Sequence, residues 1–266
     1  MKNFKAAQAL FKDSIDISTY FDSISAELVR KQLLESIGNE MIPLICLLGE
    51  PGVGKSHLLH MAYNVIAQPT VKVWINHPFF TAKELFIALY EGLNLILDPH
   101  KTEDEALYEL SELYRDRSCI IFIDEAQLIQ DEQVELIDLL CHLKHFQFIL
   151  AMHKEEGKKL LQLKRLSLHH QLLIECERLS ESEILRYLQS LFMSRSLGDI
   201  ALMFTKREIK TIANYTRGNF RTMKKYFFVL MDILDYAHTS NLPKYQTLNH
   251  ALLTMAALDT GLINDA

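Results

Sequence analysis

The chain is poor in the features that would mark a membrane, a nucleic acid or an oxidising compartment as its setting. Its four cysteines, Cys46, Cys119, Cys141 and Cys176, share no short metal-ligand spacing. That argues against a cysteine-ligated metal module or a disulfide framework and for reduced core thiols in a cytosolic protein. Positive charge is not in excess: 28 Lys and Arg stand against 34 Asp and Glu, a net charge of −6. No global field therefore draws in a polyanion. Long apolar runs are missing too. "MIPLICLL" (41–48) falls far short of the ~20 residues that span a bilayer, and the opening "MKNFKAAQALFKDS" has no apolar core of a secretory leader. No low-complexity stretch or short-period repeat is visible. The expectation is a soluble, cytoplasmic chain that does not insert into a membrane and reaches its inner face only through a partner.

What is present is enough apolar sequence, 49% of 266 residues, for one medium domain and one small one. Short apolar runs at 42–48, 71–76, 119–124, 146–152 and 171–176 read as strands, and helical patterns separate them. Thr81 with Glu84 forms a capping box before one such helix. Continuous apolar strands alternating with helices predict an α/β fold: a five-stranded parallel sheet covered by helices on both faces. After Ser180, itself in a capping box with Glu183, every segment reads as helix. The expected domains are 1–179, an α/β domain with a helical lead-in, and 180–266, a small all-helical domain.

Two motifs carry chemistry. "GEPGVGKS" fits G-x-x-x-x-G-K-[ST] between a strand and an amphipathic helix, as a P-loop requires. The loop Gly49, Glu50, Pro51, Gly52, Val53, Gly54, Lys55, Ser56 and His57 is expected to cradle phosphate oxygens, with backbone N–H groups from every residue but Pro51. Lys55 supplies a charge for the β and γ phosphates, Ser56 a hydroxyl for Mg²⁺, and the helix N-terminus its partial positive charge. The strand "CIIFID" then ends in Asp124 and Glu125. Asp124 is expected to hold Mg²⁺ through water, and Glu125 to orient or deprotonate the attacking water. The chain thus reads as a P-loop NTPase, with ATP and Mg²⁺ as its ligands.

These motifs, in this order, resemble the AAA+ ATPases. "IDEAQLI", "EQVELIDLLCHLKHFQFILAMHKEEGKKLL" and "LIECERLSESEILRYLQSLF" resemble the secretion-ATPase branch: general secretion pathway protein A (ExeA-like), its pilus-biogenesis relative MshM and the transposition helper TniB. The likeness spans roughly residues 15 to 260 and implies that the helical domain is a lid. It also implies three further positions. His153 follows "FQFILAM", where the family has a polar sensor-1 residue, although a solvated loop histidine fits the sequence as well. Arg221 in "GNFRTMKK" matches sensor 2, against the alternative of a plain surface arginine. The family also places an arginine just before the fifth strand to act on a neighbour's γ-phosphate. Here "LKRLSLHHQLLIEC" offers His169, His170 and Gln171, with Arg165 a turn or two earlier. Tyr20 is a guess for adenine recognition.

Three function classes follow. The resemblance implies an ATPase supporting assembly of a secretion system or pilus, with protein partners and a weak homo-oligomer formed on ATP. An ATP-dependent DNA-binding helper of transposition or replication is the alternative, and a slow nucleotide switch the third. The acidic net charge favours the first. Residues 206–225, with seven Lys and Arg against one Glu, leave DNA open: either a solvated lid face or a track for a phosphate backbone.

Overall fold

The computed structural model describes residues 2–12, 24–67, 69–163 and 165–263. In chain order its elements are α1 (Phe4–Ala9), α2 (Ile24–Ser36), β1 (Leu44–Gly49), α3 (Lys55–Val65), β2 (Val71–Ile75), α4 (Ala82–Gly92), α5 (Glu103–Leu113), β3 (Cys119–Ile123), α6 (Asp131–His142), β4 (Phe146–His153), α7 (Lys154–Leu161), β5 (Gln171–Cys176), α8 (Glu181–Ser194), α9 (Gly198–Ala201), α10 (Lys206–Thr216), α11 (Phe220–Thr239) and α12 (His250–Asp259). By their contacts they form two compact units. One comprises Glu27–Pro51 and Lys55–Cys176; the other comprises Met1–Ala26, Gly52–Gly54 and Glu177–Ala266.

The first unit is a five-stranded sheet in the order β2-β3-β4-β1-β5, and every neighbouring pair is parallel. The three inner strands show why their sequences are continuous apolar runs. β1 and β3 are buried along their whole length and β4 at all but its last residue, because helices cover the sheet on both sides. The edge strands alternate: Val71, Val73 and Ile75 of β2 point into the core while Lys72 and Trp74 are half-buried. At the other edge, β5 buries Ile174 and Cys176 and exposes Leu173 and Glu175. All four cysteines are free and buried. Burial pushes the thiols of Cys119 and Cys141 up to about 12. They serve as small core hydrophobes.

The second unit is helical. Tyr187, Phe192, Phe204, Tyr226, Phe227 and Leu230 form its core. The N-terminal segment belongs here and not with the sheet, so the expected grouping of 1–179 gives way at its start. The physical reason lies in three side chains. Phe4, Ala7 and Phe11 are buried in this core, with the Phe11 ring stacked on Phe227 at 5.2 Å and edge-on to Phe192 at 5.8 Å. Burying a phenylalanine contributes on the order of 2–3 kcal/mol, which a six-residue helix needs in order to stay docked.

A second anchor in this unit is Glu183. Its carboxylate accepts from Ser180 N–H (2.9 Å) and Ser180 Oγ (2.7 Å), the capping box of α8, and from Ser25 Oγ (2.5 Å). Burial pushes this carboxyl up, but the hydrogen bonds from Ser25 and Ser180 outweigh it and bring it down to about 2.

Candidate functional site

β1 runs out at Gly49, and the chain turns through Glu50–Gly54 into α3. The turn needs two backbones that L-residues avoid: Gly52 has φ +80° and Gly54 φ +105°. Pro51 and Glu50 are exposed; Val53, Gly54, Ser56 and His57 are half-buried. Lys55, by contrast, is buried at 6% exposure, and its ammonium donates to Gly49 O (3.0 Å) and Glu50 O (2.9 Å). A buried cation facing the turn is what an anion-binding loop requires. α3 carries no acidic residue in its first turn, which leaves its positive end uncompensated.

Glycine at 52 answers to the helical unit with which it clusters. There, Arg221 N–H donates to Gly52 O (3.1 Å), and a Cβ on residue 52 would lie 2.8 Å from Arg221 Cβ. Arg221 is presented by a local device. Arg217 and Gly218 both take positive φ after α10, and a Cβ at Gly218 would fall 2.2 Å from Leu179 O. Asn219 then caps α11, its side chain accepting from Thr222 N–H (3.1 Å). Arg221 thus sits exposed in the first turn of α11.

The strand order brings the second motif beside the first. β4 lies between β3 and β1, and its register pairs His153 with Gly49. The C-terminal ends of β1, β3 and β4 therefore meet, where a parallel sheet gathers its ligands. Past β3, Asp124 Oδ1 accepts from Glu125 N–H (2.9 Å). Glu125 is in the left-handed region (φ 51°, ψ 34°), a conformation that costs a non-glycine residue on the order of 1 kcal/mol and turns its side chain out of the strand. Its carboxylate Oε2 accepts from Gln127 Nε2 (2.6 Å) and lies 3.4 Å from His153 Nε2. Gln127 also uses its other end: its Oε1 accepts from His153 N–H (3.0 Å).

Of the residues singled out in the sequence, the sheet unit brings Lys55, Asp124, Glu125 and His153 to adjacent strand ends, with Ser56 beside Lys55 on α3. Arg165 is instead ion-paired to Glu135 of α6 at 2.9 Å, and His169 is bonded to Asp138. Tyr20 lies outside the described residues. Gln127 was missed. It stands inside "IDEAQ", but its work depends on β3 pairing with β4, which no local pattern announces.

The donors present fit a triphosphate with Mg²⁺: two glycines at positive φ, a buried ammonium aimed at the loop, a hydroxyl at Ser56 and a carboxylate at Asp124. The sequence carries this assignment further. Residues 43–161 match an AAA domain. No curated protein matches the chain in sequence. Among solved structures the chain resembles Cdc6p from Pyrobaculum aerophilum, with 16% identity and a TM-score of 0.62 over 88% of this chain and 66% of that one. It also resembles the Walker-type ATPase paby2304 of Pyrococcus abyssi (18%, TM-score 0.57, 95% of this chain and 76% of that one). A third is a chain of the Drosophila ORC bound to DNA (14%, TM-score 0.63, 98% and 66%). At these identities the likeness is one of fold. It is the P-loop fold that the motifs called for, and this chain spans about two thirds of the length of Cdc6p.

Proposed function

We propose that this chain binds ATP with Mg²⁺ in the Gly49–His57 loop and hydrolyses it to ADP and phosphate. The observation that carries this reading is the Glu125 carboxylate, held by Gln127 at 2.6 Å at a strand end next to the loop that contains Lys55. In this reading the oxygen of the attacking water bonds to the γ-phosphorus while Glu125 accepts the proton that water gives up. The bond from that phosphorus to the bridging oxygen breaks, and ADP keeps the electron pair. Lys55 exchanges its two carbonyl partners for β- and γ-phosphate oxygens and offsets the charge gathering there. Ser56 and Asp124 would hold Mg²⁺, which supplies further charge neutralisation between the β and γ phosphates. His153, whose Nε2 lies 3.4 Å from Glu125 Oε2, would help to orient the lytic water. Arg221 takes the phosphate-sensing role that the resemblance implies.

The test is calorimetry of ATP·Mg²⁺ binding to the chain and to Lys55→Ala. Affinity should fall by about 10² or more, since a charged hydrogen bond is worth roughly 1.5–3 kcal/mol and two or more are lost. Unchanged affinity would remove the loop assignment.

For the use of that energy we propose support of a secretion-system or pilus assembly through protein partners, a role that rests on the resemblance of "IDEAQLI" and the segments after it. Among the described residues no helix is long and apolar enough to cross a membrane. One observation favours a second reading, a DNA-binding helper. Lys206, Arg207, Lys210, Arg217, Arg221 and Lys225 are exposed on α10, the following turn and α11, and none is ion-paired among the described residues. Exposed cations of this kind suit a phosphate backbone.

A further inference from the structure

Just before β5, where the resemblance leads one to expect an arginine, the chain places histidines, and one of them is not idle. A 3-10 turn at Leu166–Leu168 delivers His169 to the last turns of α6. Its side chain is only 9% exposed, and its Nε2 lies 2.6 Å from Asp138 Oδ1. One helical turn on, at the i+4 position, His142 brings its Nδ1 to 3.6 Å from the same carboxylate oxygen and 2.8 Å from the Asp138 carbonyl. The two imidazoles meet edge to face, with centroids 4.8 Å apart. Arg165, four residues before His169, is paired with Glu135.

We propose that Asp138, His142 and His169 form a binding site for a divalent transition ion of the zinc class. One ligand atom from each residue lies within 4.8 Å of the other two. Bonds of about 2.0–2.2 Å to a tetrahedral ion put donors about 3.4 Å apart. The separations here bracket that value, so side-chain rotation of about an ångström closes the set. Two imidazoles and one carboxylate suit Zn²⁺ and its neighbours and not Mg²⁺ or Ca²⁺, which take oxygen donors. His142 is 63% exposed, so the fourth position opens to solvent and water completes it. Binding puts the metal where the His169 Nε2–Asp138 hydrogen bond now lies, and the neutral imidazole coordinates through Nε2 as the tautomer that carries its proton on Nδ1. The ion would clamp the C-terminal turn of α6 to the segment that enters β5, about two turns along α6 from its N-terminal link to the Glu125–Gln127 turn. It is independent of the nucleotide site, which uses none of these three residues.

Cobalt reports the site directly, because tetrahedral Co²⁺ with nitrogen ligands absorbs in the visible. The full chain is titrated with Co²⁺, then with Zn²⁺ against a chromogenic chelator. The same titrations are run on His142→Gln, His169→Gln and Asp124→Asn. One equivalent should bind, with a visible band that Zn²⁺ abolishes. Each histidine variant should weaken Zn²⁺ binding at least tenfold and lose the band, while Asp124→Asn keeps it. His142 is exposed, so its replacement leaves the fold intact whatever His169→Gln does. An undiminished band in His142→Gln overturns the proposal, and so does an absence of saturable Co²⁺ or Zn²⁺ binding by the unaltered chain.

Discussion

Replacing Glu125 with glutamine changes one property of the site and leaves the rest. The amide has the shape of the acid, so the left-handed backbone at φ 51° is kept. Its oxygen can still accept from Gln127 Nε2, now at 2.6 Å from the carboxylate. What it cannot do is take a proton from water. A positioned base contributes roughly 10²–10⁴ in rate, or about 3–5 kcal/mol of barrier. Glu125→Gln should therefore retain ATP affinity within a factor of about three and lose hydrolysis by that range. Glu125→Asp sharpens the argument. One methylene fewer withdraws the carboxylate by about 1.5 Å, beyond hydrogen-bond reach of Gln127, so the base is present but misplaced. Because slow turnover can hide in a steady-state assay, the measurement is single-turnover phosphate release with protein in excess over ATP, beside equilibrium binding of a fluorescent nucleotide. A Glu125→Gln rate equal to that of the parent chain would refute the base assignment. A matching loss of affinity would refute it in another way, by showing that Glu125 holds the loop and not the water.

Glu183 has its carboxyl lowered from 4.5 to about 2. A lowered folded-state value means stability that is complete above pH ~4.5 and lost as pH falls towards 2, on the order of 3 kcal/mol in all. Urea unfolding of Glu183→Gln against the parent chain should show that gap at pH 7 and little of it near pH 2; a gap independent of pH would contradict the linkage. Duplex DNA at about 0.15 M salt should bind weakly and without sequence preference, measured by anisotropy. Submicromolar affinity, with a salt slope that flattens when Lys206, Arg207 and Lys210 are neutralised, would establish the helper reading over the assembly one. Since Arg165 is paired with Glu135 in its own chain, the protein alone should be mostly monomeric or a weak oligomer by mass photometry of Glu125→Gln, measured with and without ATP. A stable hexamer without a partner would show otherwise.

The loop and the acidic strand end were legible in the sequence because each is a local demand. A turn of that curvature needs its glycines, and a buried strand ending in two acids announces itself against the apolar run. The sheet was legible for the same reason: both-face burial writes itself as uninterrupted Leu, Ile and Phe. What stayed hidden depends on distant pairings. Gln127 acquires its role only because β4 sits beside β3 and offers His153 N–H. Nothing local singles out Phe4 and Phe11, whose burial depends on the distant helical core in which Phe227 of α11 stacks on Phe11. His169 looked like a missing arginine, and its partner Asp138 is thirty-one residues away on a helix whose pattern marks only the apolar face. The alternative for His153, a solvated loop residue, was open for the same reason, since a register fixes its place and not its own neighbours in the chain.

The backbone angle at Glu125 has a consequence for how this position can change over time. Every residue except glycine, and to a lesser degree asparagine and aspartate, is disfavoured there, and β-branched residues most of all. An acid at such an angle costs folding stability that glycine would not. In a lineage that stopped using the chemistry, drift would carry the position towards glycine or asparagine while the sheet around it remained unchanged. On the role proposed for Glu125, the residue found here in a related chain would mark whether that chain keeps the base, and it could be read without reference to the loop.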